Sequence, residues 1–130
     1  MLGKDCILPP EGARNLNPVV LAFVGDAVYS LYVREKLVLS SDFKTGTLQK
    51  LSSEIVSAHG QSGLAAELLP LFTEEEADIF RRGRNARKTA RSKHASVSEY
   101  NRSTGFEAVL GYLYLTGQYE RIDILLKDRI

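Results

Sequence analysis

The stretch LAFVGDAVYSLYV, residues 21–33, decides the fold. Leu21, Phe23, Val24, Val28, Leu31, Tyr32 and Val33 recur at helical spacing on more than one face. A helix apolar nearly all round suits burial on several sides, a subunit interface included. Asp26 interrupts the run. An ionised carboxylate among apolar side chains is costly unless a cation or several donors meet it, so the sequence demands a partner for Asp26. Asn17 as N-cap and Pro18 at the first helical position set the start of this helix, which is expected to run to about Leu39.

Working outward, residues 1–16 read as an irregular lead-in and 17–130 as one domain. After the loop SSDFKTG, a second helix is expected from Thr45–Thr47, with Leu48, Leu51, Ile55, Val56 and Ala58 at intervals of three and four. Gly60 and Gly63 are the expected interruptions, and Pro70 ends the continuation through LAAELL. Thr73 and Glu76 form a capping-box pattern that opens a helix through Ala77, Ile79 and Phe80. Ser96 and Glu99 repeat the pattern ahead of Phe106, Val109, Leu110 and Leu113, with Gly117 at the stop. YERIDILLKD supplies a last short helix. No alternation of the strand type and no hairpin signal is found, so the expected class is all-α.

A chain of 130 residues with 44% hydrophobic and 25% charged residues fits one ordinary globular domain. One cysteine, Cys6, excludes an internal disulfide, and with only His59 and His94 beside it a structural zinc site is not expected. The polar, proline-broken N-terminus carries no signal peptide and no apolar run approaches a membrane span of roughly 20 residues, so a cytoplasmic, membrane-free protein is expected. The formal net charge is +1, but its distribution is uneven. Residues 79–98 contain no acid, while Arg81, Arg82, Arg84, Arg87, Lys88, Arg91 and Lys93 crowd together there. Ordinary surfaces intersperse the two signs, so this segment is a candidate phosphate binder. Few aromatics interleave with it, which disfavours stacking on single strands and favours a duplex backbone.

The puzzle of Asp26 recurs in STGFEAVLGYLYL, where Glu107 stands between Phe106 and Ala108. Two mostly apolar helices, each with one internal acid, can bring the acids together where they pack. Paired carboxylates there suit a hard divalent cation such as magnesium, which can activate water and stabilise charge on a phosphate. Ser30 and Ser103 lack a nearby histidine pattern, so nothing supports a serine nucleophile.

At these residues the chain resembles the ribonuclease III catalytic domain. LAFVGDAVY looks like its signature helix, and FEAVLGYLYL like its second metal-binding helix. VSAHGQS, FTEEEADIFRRGRNAR and STGFEAVLGYL resemble the Mini-ribonuclease III subfamily, over roughly residues 16–126. No double-stranded-RNA-binding domain is expected to follow, as that subfamily lacks one. The resemblance implies a helical endonuclease domain hydrolysing phosphodiesters of double-stranded RNA with magnesium, leaving 5′-phosphate and 3′-hydroxyl ends. It implies Asp26 and Glu107 as catalytic metal ligands and the seven basic residues as RNA contacts. Also implied are a homodimer, maturation of both ends of the large-subunit ribosomal RNA precursor, and a ribosomal protein that presents it. Two acids of the larger enzymes fall here on Ala22 and Thr104, so waters and substrate phosphate would complete the ion's shell. Two alternatives stay open on the sequence: a noncatalytic RNA-binding or ribosome-assembly module on this scaffold, and a helical dimerisation domain docking an acidic protein.

Overall fold

The structure, a computed structural model, describes residues 7–87 and 96–130. Seven α-helices follow in chain order among the described residues: α1 (Pro10–Arg14), α2 (Pro18–Ser40), α3 (Thr45–Val56), α4 (Ala58–Leu68), α5 (Glu74–Asn85), α6 (Val97–Leu115) and α7 (Tyr119–Leu126). A single 3-10 turn, Leu69–Leu71, follows α4 at Pro70. No described residue is in a strand, as the absence of period-two alternation predicts.

The expected starts are set by local chemistry. Asn17 accepts from the amide of Val19 at 2.8 Å and Pro18 occupies the first turn of α2. Both capping boxes form: Thr73 with Glu76 opens α5 and Ser96 with Glu99 opens α6. At the end of α6, Gln118 donates to the carbonyl of Leu113 at 2.8 Å and Gly117 to that of Tyr114 at 3.1 Å, with Gly117 at φ 74°. This is the glycine-terminated stop the sequence predicts.

Two expectations are corrected. The lead-in is not wholly irregular: α1 is one turn with Pro10 in its first position and Ala13 buried. Arg82 donates to the carbonyls of Arg14 at 2.8 Å and Leu16 at 3.4 Å, which ties α5 to the lead-in. A single turn is too short to show periodicity. The break in the second helix falls at Ser57 rather than at Gly60 or Gly63, because Ser57 turns extended and caps α4 through the amide of Gly60. Gly60 serves the break differently: a Cβ there would lie 2.5 Å from the carbonyl oxygen of Ile55, so its absence lets α4 start against the end of α3.

The core is built on α6, against which α1, α2, α4, α5 and α7 all pack. From α6 it takes Phe106, Val109, Leu110 and Leu113, from α2 Leu21, Tyr29 and Val33, from α5 Ile79 and Phe80, and from α7 Leu125 and Leu126. Tyr29 meets Phe106 edge to face, ring centroids 4.9 Å apart. At the α2–α6 crossing the backbones touch. A Cβ on Gly25 would stand 1.7 Å from the carbonyl oxygen of Glu107, and one on Gly111 would stand 1.9 Å from that of Leu21. Only glycine fits at either position, and this close crossing fixes where Asp26 stands relative to Glu107. Glu76 is buried and met twice by Arg121 of α7, at 2.9 and 2.8 Å, so its charge is paired where burial alone would penalise it.

Candidate active site

Asp26 lies one residue after Gly25, so the glycine contact with Glu107 carries the aspartate to the groove beside the crossing. The apolar neighbours of Asp26 in sequence are not its surroundings. Leu21, Ala22, Gly25, Tyr29 and Val33 form the buried face of α2, whereas Asp26 is exposed. The partner that the sequence demands for Asp26 is therefore not needed to bury it. Instead Asp26 is half of a carboxyl pair.

Asp26 and Glu107 line one groove of about 630 Å³, together with Asn17, Ala22, Phe23, Gln61, Arg87, Tyr100, Ser103 and Thr104. α2, α6 and the start of α4 all contribute to its lining. Glu107 is hydrogen-bonded to Asp26. Burial first, then the hydrogen bond and the negative charge of Asp26, push the Glu107 carboxyl up to about 9. A hydrogen bond from Gln61 acts in the other direction. Glu107 therefore holds a proton at neutral pH when no cation is present, and the two carboxyls share one negative charge.

Two carboxyls that face each other across a helix crossing, with one kept protonated by its surroundings, are the donor set into which a hard cation fits. Asp26 and Glu107 would hold such an ion, and the Glu107 carboxyl would have to be deprotonated to ligate it. Among the described residues no third His, Cys, Asp or Glu joins the pair. Ala22 and Thr104 line the same groove, and Thr104 spends its hydroxyl on the carbonyl of Tyr100 at 3.0 Å. Two protein carboxylates would leave most of the shell of a hard cation to other oxygens.

The basic segment divides. Arg81 pairs with Asp78 and Arg82 is held by the two lead-in carbonyls. Arg84 is exposed and touches the side chain of Asn85 at 3.2 Å. Arg87 reaches the groove of the carboxyl pair. Lys88, Arg91, Lys93 and His94 lie outside the described residues, as does Cys6. Sequence reasoning assigns no role to Gln61, which is 2% exposed and donates to Glu107 Oε2 at 3.5 Å. The available signal is a long polar side chain between helix-forming residues of α4, and that pattern equally marks a surface position.

The ribonuclease III domain model matches residues 19–118. The Mini-ribonuclease 3 of Thermoanaerobacter sp. (strain X514) is 45% identical over 93% of this chain and 85% of its own length. That of Streptococcus pneumoniae is 43% identical over 85% of this chain and 88% of its own. A solved structure of a protein from Fusobacterium nucleatum superposes with a TM-score of 0.79 at 31% identity, covering 87% of this chain and 90% of that one.

Proposed function

The chain belongs to the ribonuclease III family and is an endoribonuclease, and from that premise we propose that it cuts double-stranded RNA with magnesium held by Asp26 and Glu107. The observation that carries the reading is the carboxyl pair itself: two acids from two helices, hydrogen-bonded to each other, in an open groove with an arginine beside them. A bound ion would supply the Lewis acid for phosphodiester hydrolysis, giving 5′-phosphate and 3′-hydroxyl ends. Asp26, exposed to the groove, and Glu107, half-shielded, would hold the ion, and Glu107 would ligate it as the deprotonated carboxylate. Substrate phosphate and water would complete the ion's shell where Ala22 and Thr104 offer no acid.

Arg87 is the basic residue best placed to hold a phosphate next to the pair, since it lines the same groove. Arg84 precedes Arg87 by three residues, and Lys88, Arg91 and Lys93 follow it in sequence. Arg81 and Arg82 contribute less directly, because Arg81 is paired with Asp78 and Arg82 is held by the lead-in carbonyls. Together these cations fit a duplex, whose backbone is recognised by charge and shape. The working unit is a homodimer. On α2, Val20 (49% exposed), Phe23 (81%) and Leu31 (55%) lie uncovered with Ala27 between them, an apolar stripe of the kind a second copy covers. Residues 17–130 form the catalytic domain, and the substrate is the large-subunit ribosomal RNA precursor in the cytoplasm, presented by a ribosomal protein. No helix among the described residues is long and apolar enough to cross a membrane.

The test is a long RNA duplex incubated with the protein in magnesium or in EDTA. Cleavage in magnesium that stops in EDTA is the expected result. Cleavage undiminished in EDTA, or retention of the duplex without cutting in magnesium, would overturn the proposal.

A further inference from the structure

We propose that Gln61 is a positioning residue that sets the carboxyl of Glu107 for the metal, doing part of the work left by the missing acids. The inference rests on the metal reading of the carboxyl pair.

Three observations carry it. Gln61 is almost wholly buried beside the groove it helps to line, an unusual place for a neutral amide. Its Nε2 donates to the carbonyl of Val56 at 3.0 Å and to Oε2 of Glu107 at 3.5 Å. Its Oε1 is buried with no hydrogen-bond partner.

The orientation of the amide is dictated by chemistry. Val56 is the last residue of α3, so its carbonyl has no partner within its own helix. Turning the amide over would set an oxygen against that carbonyl and also against a carboxyl oxygen, whereas the NH₂ group can satisfy both at once. One side chain on α4 thus bridges the end of α3 to the acid on α6. The cost is an orphaned acceptor, which is destabilising and rare in native interiors. A methionine or leucine of similar size would fill the same space and remove that orphan, but would leave the Val56 carbonyl without its donor. Glutamine meets both the Val56 carbonyl and Glu107, so the hydrogen bond to the acid comes in addition to the cap on α3. The residue does not reach the groove's open side as a ligand, because Oε1 is covered. It acts on the ion only by fixing the acid that would hold it, the arrangement by which outer groups orient ligating carboxylates.

The alternative is that Gln61 only caps α3, and stability alone would then feel its loss. Gln61→Met separates the two, since it keeps the length and volume and removes both donors. Magnesium is titrated calorimetrically into wild type and variant without RNA, and single-turnover cleavage of a duplex is followed across magnesium concentrations. In the folded variant, magnesium affinity is expected to fall roughly 10-fold, the low end of effects from groups that orient metal ligands. The cleavage rate should fall with it and recover at high magnesium, while KM for RNA stays put. A folded variant with wild-type magnesium affinity and rate overturns the inference. If Gln61→Met does not fold, the wild-type protein decides. The Gln61 side-chain amide resonances should shift on adding magnesium with the calorimetric midpoint, and resonances that do not move overturn the inference. A wild-type protein that neither binds magnesium nor cuts RNA would instead remove the reading beneath it, and that failure is visible before any Gln61 variant is made.

Discussion

Replacing Glu107 by glutamine should make the metal-free domain more stable while ending catalysis. The carboxyl titrates at about 9 in the folded chain against an ordinary value near 4.5. Because the folded value is raised, the contribution of Glu107 to stability is most favourable below about 4.5. It is lost progressively as pH climbs through the folded value near 9. At pH 7 the part of the shift already traversed corresponds to about 3 kcal/mol at roughly 1.4 kcal/mol per unit. The groove side of the carboxyl meets water, which brings the figure to roughly 2 kcal/mol. The amide introduced by Glu107→Gln keeps the shape and can donate to Asp26 without carrying a charge. For a domain of this size the gain corresponds to a rise in Tm of roughly 6–8 °C. Thermal melts in EDTA at equal protein concentration, at pH 5 and pH 8, measure it; the gap between variant and wild type should widen from the lower pH to the higher. A variant that melts below wild type at pH 8 would refute the reasoning, since it would mean that the fold already stabilises an ionised Glu107.

Three further outcomes follow from the same geometry. Gly25→Ala should destabilise by more than about 3 kcal/mol, beyond the usual range of overpacking, because the added Cβ meets the carbonyl oxygen of Glu107 at 1.7 Å and backbone has no rotamer to yield. Gly63→Ala, in the exposed body of α4 with nothing within 4 Å of its Cβ, should stabilise by about 0.5–1 kcal/mol. Urea denaturation of both variants checks the opposite signs. Thr104→Asp adds an acid to the groove one turn before Glu107, so magnesium should bind the free variant more tightly in a calorimetric titration. Equal affinity in a folded variant would mean that position 104 does not face the ion.

Much of this was legible in the sequence for a physical reason. Caps and glycine stops are local, and Asn17, Thr73, Ser96 and Gly117 each act within a few residues of themselves. The two acids were legible because each interrupts an otherwise apolar run of sequence. The environment of Asp26 was not, since an amphipathic face cannot be read from a helix whose uncovered side is also apolar. Phe23 and Leu31 look like core in the sequence and stand exposed in the single chain. α1 leaves no periodic signal because it is one turn, and the break at Ser57 is overshadowed by the glycines that follow it. Arg82 read as a surface cation, yet its partners are carbonyls 68 and 66 residues away. Gln61 is the same case: its meaning is fixed by Val56 and Glu107, and the second of these is 46 residues distant.

On the proposed reading Asp26 holds the ion with Glu107 and is not a structural acid. Asp26→Asn tests it most directly, because the amide keeps the shape, stays exposed to the groove and removes one charge from the pair. Single-turnover cleavage of an RNA duplex in magnesium is compared with retention of the same duplex in EDTA, for wild type and variant. The expected result is a cleavage rate lowered by more than roughly 100-fold, with folding and duplex retention intact. A folded Asp26→Asn protein that cuts the duplex within a few-fold of the wild-type rate would contradict the account.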